Sequence, residues 1–301
     1  MNMNLFRKVS IITCIFTCLI GTPLIEAKDF QLKKEIMSQM EKQTIPAIEP
    51  KIDPVWHLIP GYNGVKVNLN KTIRASSSKK RQIIWKTNEV KPLMSLNDYL
   101  HEPIYKGNSH KRMVALLINV AWGESHIPQI LTTLKKNDVK ASFFLDGKWL
   151  KRHEKDARLI LAEGHQVSNH GYSHKNMSRL SEREMKHEIQ KTQHLLEQLG
   201  VSNHLFAPPS GDFSTKSLAV TAQLGLHTIL WTVDTIDWRE SDPNVILRRV
   251  LPRIEPGSMV LMHPTSSATA ALDQMIKQIK KNKLVLGTVN ELLSTKRVEV
   301  E

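Results

Sequence analysis

Cysteine is nearly absent. The 301 residues hold two, Cys14 and Cys18, both within the first 27 positions. Beyond residue 27 there is no thiol nucleophile, no cysteine metal ligand and no disulfide, so a large apolar core has to supply the stability. A hydrophobic run of spanning length is also lacking. The apolar stretch from Val9 to Gly21 is shorter than the ~20 residues a helix needs to cross a bilayer. It follows Arg7 and Lys8 and precedes Ala27, the order of a secretory signal. Apolar residues resume at Leu24 and Ile25, so an uncleaved anchor is the alternative. Residues 1–27 are read as that signal or anchor, and the rest of the chain as exported. No nucleic-acid-binding motif is found.

Positive charge is plentiful. Lys and Arg number 42 against 29 Asp and Glu, a formal net charge of +13. Residues 1–27 carry Arg7, Lys8 and Glu26, so the charge without them falls by one to +12. Such a balance favours acidic partners. For an exported chain without disulfides, the expected partner is the anionic wall of a bacterial envelope. Membrane contact is expected only through the N-terminal segment.

Residues 28–105 read as a polar, helix-permissive stalk and a small region of unknown role. In it "PVWHLIPGYNG" carries a turn signal, while "VKVNLN" and "QIIWK" have strand character. The polar "ASSSKKR" at 75–81 reads as a solvated loop. Residues 106–296 read as a separate domain, and from residue 113 the texture changes. "MVALLINVAW" precedes "HIPQILTTLKKND", "ASFFLDG" precedes "KWLKRHEKDARLILAEG", and "HQVSNH" precedes "SEREMKHEIQKTQHLLEQLG". The alternation continues to the end, which predicts an α/β fold with a parallel sheet covered by helices. In a closed or nearly closed barrel the ligand site lies at the C-terminal ends of the strands. Ala121 and Trp122 end the first predicted strand, His170 and His174 follow the third, and Ser210 follows the fourth. Asp234 and Trp238 follow the fifth, and His263 ends the sixth. Trp231, Phe143 and Phe144 read as core, and Asp237 as a structural hydrogen-bond acceptor or helix cap.

These clusters carry a resemblance. Residues 111–295 resemble the NodB-homology domain of polysaccharide deacetylases, the family-four carbohydrate esterases. The resemblance implies a distorted (β/α)7 barrel with a small N-terminal appended region, and removal of acetyl groups from N-acetylglucosamine polymers such as peptidoglycan. It also implies one zinc ion held by an Asp and two His. A second Asp would be the general base, with an Arg to position it. A His would be the general acid, with an Asp to orient it. "HGYSH" matches the metal-binding motif and makes His170 and His174 the expected metal ligands. "DTIDW" and "LMH" match the acid half, giving Asp234 and His263 the expected catalytic pair. Ser210 and Trp238 are the expected substrate-binding positions.

Elsewhere the pattern is broken. "INVAWGES" places Ala121 where the base Asp belongs and Trp122 where the metal Asp belongs. "APPSG" places Ala207 where the Arg belongs. A buried Arg without its carboxylate would cost about 3–5 kcal/mol, so losing both partners together is the tolerated route. An indole carries only a donor and cannot replace a carboxylate. Two histidines would keep zinc only with a further ligand, and Glu124, His126 and Asn119 are the nearest in sequence. "EPIYKGNSHKRMVALLINVAWGESHIPQIL" narrows the resemblance to the sporulation-associated, YlxY-type group of deacetylase-like proteins. The leading expectation is an exported pseudoenzyme that binds cell-wall glycan. The rivals are a zinc-dependent N-deacetylase with substituted ligands, and an interaction scaffold in spore or envelope assembly.

Overall fold

The computed structural model describes residues 22–76, 82–239 and 242–298. Most of the leader segment and the tip of the 75–81 loop lie outside the described residues. No described helix is long and apolar enough to cross a membrane. The chain divides into two units. The described part of the smaller unit covers residues 22–44, 66–76 and 82–88, and the larger unit covers 45–65 and everything from Glu89 onward.

The smaller unit is built on helix α1 (Thr22–Gln39), which buries Leu32 and Ile36 one turn apart. In the larger unit, β1 (Lys51–Asp53) and β2 (His57–Ile59) pair antiparallel. Strand β3 (Gly64–Val67) leads from the larger unit into the smaller, which holds helix α2 (Leu69–Ala75), and strand β4 (Thr87–Val90) leads back. The "QIIWK" segment, expected to be a strand, has no regular structure; the strand begins one residue after it, at Thr87.

The barrel domain then alternates strand and helix: β5 (Met113–Val120), α3 (Ile127–Lys136), β6 (Ser142–Leu145), α4 (Gly147–Arg152), α5 (Glu154–Ala162) and β7 (Gln166–Asn169). It continues with α6 (Glu182–Gln198), β8 (Leu205–Phe206), α7 (Thr215–Gln223), β9 (His227–Thr228) and β10 (Val233–Asp234). It ends with α8 (Pro243–Val250), β11 (Met259–Met262), α9 (Ser266–Lys281), β12 (Val285–Gly287) and α10 (Val289–Leu293). The strands run in the order β10-β11-β5-β6-β7-β8-β9, with β12 also on β5, and the pairings along this sheet are parallel. This is the α/β fold with a parallel sheet that the alternation predicts, and it agrees with the NodB-type barrel that the resemblance implies.

Strand β5 shows why. All eight of its residues, "MVALLINV", are buried, as expected for a central parallel strand covered on both faces. Val114, Leu116, Ile118 and Val120 pack outward with Ile127, Ile130 and Leu134 of α3 and with Leu272, Met275 and Ile276 of α9. Met113, Ala115 and Leu117 pack inward with Leu205, Met259 and Leu261. Residues before the barrel join that inner core. Leu58 and Ile104 are fully buried in it, and Ile104 bridges in parallel to Ile229. Residues 45–65 and 89–105 thus fold with the barrel.

Candidate functional site

Strand alternation decides which side chains reach the site. The inward series of β5, Met113, Ala115 and Leu117, continues to Asn119 and Ala121. Both line a cavity of about 400 Å3 at the C-terminal ends of the strands. The same two-residue step carries Met259 and Leu261 of β11 on to His263, another wall of that cavity. Val233 of β10 faces the outer core, so Asp234 faces the cavity. His170 and His174 enter from the loop after β7, Ser210 from the loop after β8, and Trp122, Trp231 and Trp238 complete the wall. Of the residues expected to bind or react, all six line this one cavity. Ala207, the degenerate Arg position, is fully buried behind it.

The loops that carry these groups are strained. His174, Ser210 and Ile236 have positive φ of 53°, 57° and 51°, a conformation that costs roughly 1–3 kcal/mol for a residue with a side chain and gathers at functional sites. Gly123, with φ 82°, has the freedom the turn after β5 needs, since a Cβ there would sit 2.2 Å from the Pro264 carbonyl oxygen. That close approach holds the Trp122 loop against the His263 loop.

His170 is 1 % exposed. Its Nδ1 donates to the Ala207 carbonyl at 2.8 Å, which leaves Nε2 as the nitrogen with the free lone pair. Burial, seconded by His174, pushes its pKa down to about 3. Burial also lowers His174. The two rings meet edge to face, centroids 5.2 Å apart. Both imidazoles are therefore held neutral, the form that binds a metal or accepts a hydrogen bond.

The acid half differs from its expected form. His263 pairs with Asp237, not with Asp234. Asp237 is fully buried and accepts the His263 backbone N–H at 2.6 Å and Nδ1–H at 2.8 Å. Asp234 accepts the Ile236 N–H at 2.8 Å. The cause is the turn after β10: a short 3-10 helix, Asp237–Arg239, tucks the later carboxylate under the end of β11. With Nδ1–H committed to Asp237, Nε2 of His263 is the atom left to meet a ligand.

Trp122 takes up the remaining space. Its indole lies parallel to the His263 ring, 9° between planes and centroids 6.0 Å apart. Catalytic zinc takes three protein ligands and keeps a fourth position open. His170 and His174 supply two. Among the described residues no third His, Cys, Asp or Glu joins them. Glu124 lies outside the cavity, near His153 and Arg152, and His126 lines a neighbouring one. Asn119 does reach the cavity, with a buried Oδ1 that has no hydrogen-bond partner, but a neutral amide oxygen is a poor substitute for a carboxylate ligand. These residues do not fit zinc.

Asp237, read as a structural hydrogen-bond acceptor, is one, and the groups it holds are the backbone N–H and Nδ1–H of His263. Trp231 read as core, yet it lines the cavity; a Cβ on Gly211 would stand 2.7 Å from its ring. The only sequence signal for it was its place three residues before Asp234.

Three comparisons bear on this arrangement. The family model for polysaccharide deacetylase matches residues 106–229. The chain is 39% identical over 282 residues to the uncharacterized protein YlxY of Bacillus subtilis, covering 92% of this chain and 88% of that one. It is 31% identical to a peptidoglycan-N-acetylglucosamine deacetylase of Bacillus cereus, over 64% of this chain and 72% of that one. Among solved structures it resembles wild-type BA3943 of Bacillus anthracis, a CE4 family pseudoenzyme, with a TM-score of 0.82 and 41% identity over 89% of this chain and 97% of that one. A mutant of that protein has restored enzymatic activity.

Proposed function

The chain belongs to the polysaccharide deacetylase family, and from that premise we propose that it is an exported pseudoenzyme that binds N-acetylglucosamine polymers of the bacterial cell wall. One observation carries this reading. A single cavity keeps His170, His174, the His263–Asp237 pair and three indoles, while both carboxylates and the Arg of the reactive half are replaced by Ala121, Trp122 and Ala207. The groups that would hold a sugar and its acetamido group remain. Those that would activate water are gone. The likeness to a peptidoglycan deacetylase supports a wall glycan as the ligand, and the likeness to a CE4 pseudoenzyme supports loss of the reaction. The signal-like N-terminal segment supports export, and a charge of +12 beyond it favours retention at an anionic wall.

The experiment measures binding, bound zinc and acetate release together, with N-acetylglucosamine oligomers as ligand. Binding without acetate release is the expected result. Metal-dependent acetate release that disappears in His170→Ala would overturn the pseudoenzyme reading in favour of a working deacetylase. Absence of binding to both chitooligosaccharide and peptidoglycan would overturn the glycan reading. The double variant Ala121→Asp/Trp122→Asp is expected to gain about one equivalent of zinc but little turnover. Adding Ala207→Arg is expected to raise turnover at least tenfold, because the new base then has its positioning cation. Full turnover without Ala207→Arg would show that the Arg is dispensable.

A further inference from the structure

The positive charge is not spread evenly along the chain. Residues 28–44 and 66–88 of the smaller unit hold eleven Lys and Arg against three Asp and Glu, a net of +8. The larger unit, several times longer, carries only the remaining +4 of the +12. From Lys66 to Asn88 there is no acidic residue. Among the described residues, every Lys or Arg held in an ion pair lies in the larger unit, from Lys106 to Lys277. Lys33 and Lys34 of α1, Lys71 and Arg74 of α2, and Lys66 and Lys86 on either side of α2 are exposed. Helices α1 and α2 pack on each other. Packed helices stand roughly 8–10 Å apart, about one screening length at physiological salt. These cations therefore meet a partner as one field.

Charge alone would suit any polyanion, and helix α1 narrows the choice. Phe30, Lys33, Lys34 and Met37 follow the spacing of one helix face. Leu32 and Ile36, on the other side of the helix, are buried. The outward face is exposed, and its two apolar side chains are among the most open of the chain, Phe30 at 69 % and Met37 at 55 %. A soluble polyanion gives these two side chains nothing apolar to meet. The headgroup region of an anionic bilayer supplies both halves: phosphates for the lysines, and acyl chains for Phe30 and Met37 and for the lysine stems. The order of the chain agrees. Helix α1 begins at Thr22, directly after the apolar run Val9–Gly21, so a leader held in the membrane delivers this face to the bilayer surface. Cleavage after Ala27 would leave Phe30, Lys33, Lys34 and Met37 in place.

We propose that the smaller unit is a docking surface for anionic phospholipid bilayers, with Phe30 and Met37 entering the interface and the cations of α1 and α2 binding lipid phosphate. The inference is independent of the glycan-binding reading, which concerns the cavity of the larger unit.

The test is co-sedimentation with lipid vesicles of the chain without residues 1–21, which keeps every described residue and removes the leader as a second membrane contact. Vesicles of phosphatidylcholine alone are compared with vesicles containing phosphatidylglycerol, and a soluble glycerol-phosphate polymer offers the same phosphodiester charge without a bilayer. Vesicles with phosphatidylglycerol are expected to bind, less tightly as salt is raised. Phosphatidylcholine alone is expected not to bind, and the polymer to bind several-fold more weakly. Each cation near an anionic bilayer contributes about fivefold in affinity, so Lys33→Gln/Lys34→Gln is expected to weaken vesicle binding by roughly tenfold or more. Lys151→Gln/Lys155→Gln, an equal loss of charge at exposed positions of the larger unit, is expected to leave it unchanged. Phe30→Gln/Met37→Gln keeps the charge and the helix and is expected to weaken vesicle binding several-fold while leaving polymer binding as it was. No binding to phosphatidylglycerol vesicles, or an equal loss in the two lysine pairs, would overturn the docking surface. Polymer binding as tight as vesicle binding, with no effect of Phe30→Gln/Met37→Gln, would overturn the bilayer as partner in favour of a wall polyanion.

Discussion

The two aspartates of "DTIDW" differ in what each holds, and the difference is measurable. Asp237 accepts two N–H groups of His263 in a fully buried position. Removing it strands both donors, and hydrogen bonds that involve a charged partner contribute about 1.5–3 kcal/mol each. Asp234 satisfies one N–H of a partly exposed turn. Asp237→Ala is therefore expected to lower the free energy of unfolding by about 2–4 kcal/mol and Asp234→Ala by about 1 kcal/mol or less, both read by urea denaturation. The His263 Nδ1 proton resonance should survive Asp234→Ala and vanish in Asp237→Ala. The sequence places both carboxylates on the same loop, three residues apart, and the motif match does not say which one turns inward. That is decided by the 3-10 turn and by the end of β11, which are far apart in the chain. Trp122 is the opposite case. Its chemistry was legible, because an indole is a donor and no ligand, but its parallel packing on His263 depends on two loops meeting.

Those loops meet because of one glycine. Gly123 turns the chain after β5 with φ 82°, and the carbonyl of Pro264, after β11, fills the space where a side chain would begin. Gly123→Ala must either push the β11 loop away or change the turn. The cost is roughly 1–3 kcal/mol, seen as a lower midpoint of thermal unfolding. The separation of the loops should also move Trp122 off His263, so glycan affinity should fall more than stability alone explains. Unchanged affinity would mean that the contact between the loops does not shape the groove. At the scale of elements the central strands were the most legible. β5, β6 and β11 are continuous apolar runs because they are covered on both faces. β4 was not. All four of its residues are exposed, so it has no alternating pattern, and the apolar "QIIWK" beside it drew the strand assignment instead. Residues 54–65 read as part of a small region of their own; their place beside the barrel depends on Leu58 reaching a core formed mainly by residues beyond 113.

Across the whole molecule, buried histidines set the response to acid. His165 accepts the Ala141 N–H and His227 lies against Asn97. Burial pushes each down to about 4, and pushes His170 down to about 3. In the unfolded chain each would titrate near 6.5. Between pH 6.5 and 4 the unfolded state therefore binds more protons than the folded state, and stability falls as the pH falls. Asp146 works the other way. Burial raises it to about 6, so between pH 6 and 3.8 the folded state binds the extra proton and acid offsets part of the loss. Three histidines outweigh one carboxyl, and each group contributes on the order of 1–3 kcal/mol across its window. Stability is thus expected to decline by several kcal/mol from pH 7 to pH 4.5, with most of the fall below pH 6.5. Urea titrations at pH 7, 6, 5 and 4.5 would measure it. His165→Asn keeps an acceptor for Ala141 but cannot take up a proton, so its decline should be shallower than that of the parent chain by about one histidine's share. An equal slope in the two proteins would mean that His165 does not resist protonation in the folded state, and that the acid response arises elsewhere in the barrel.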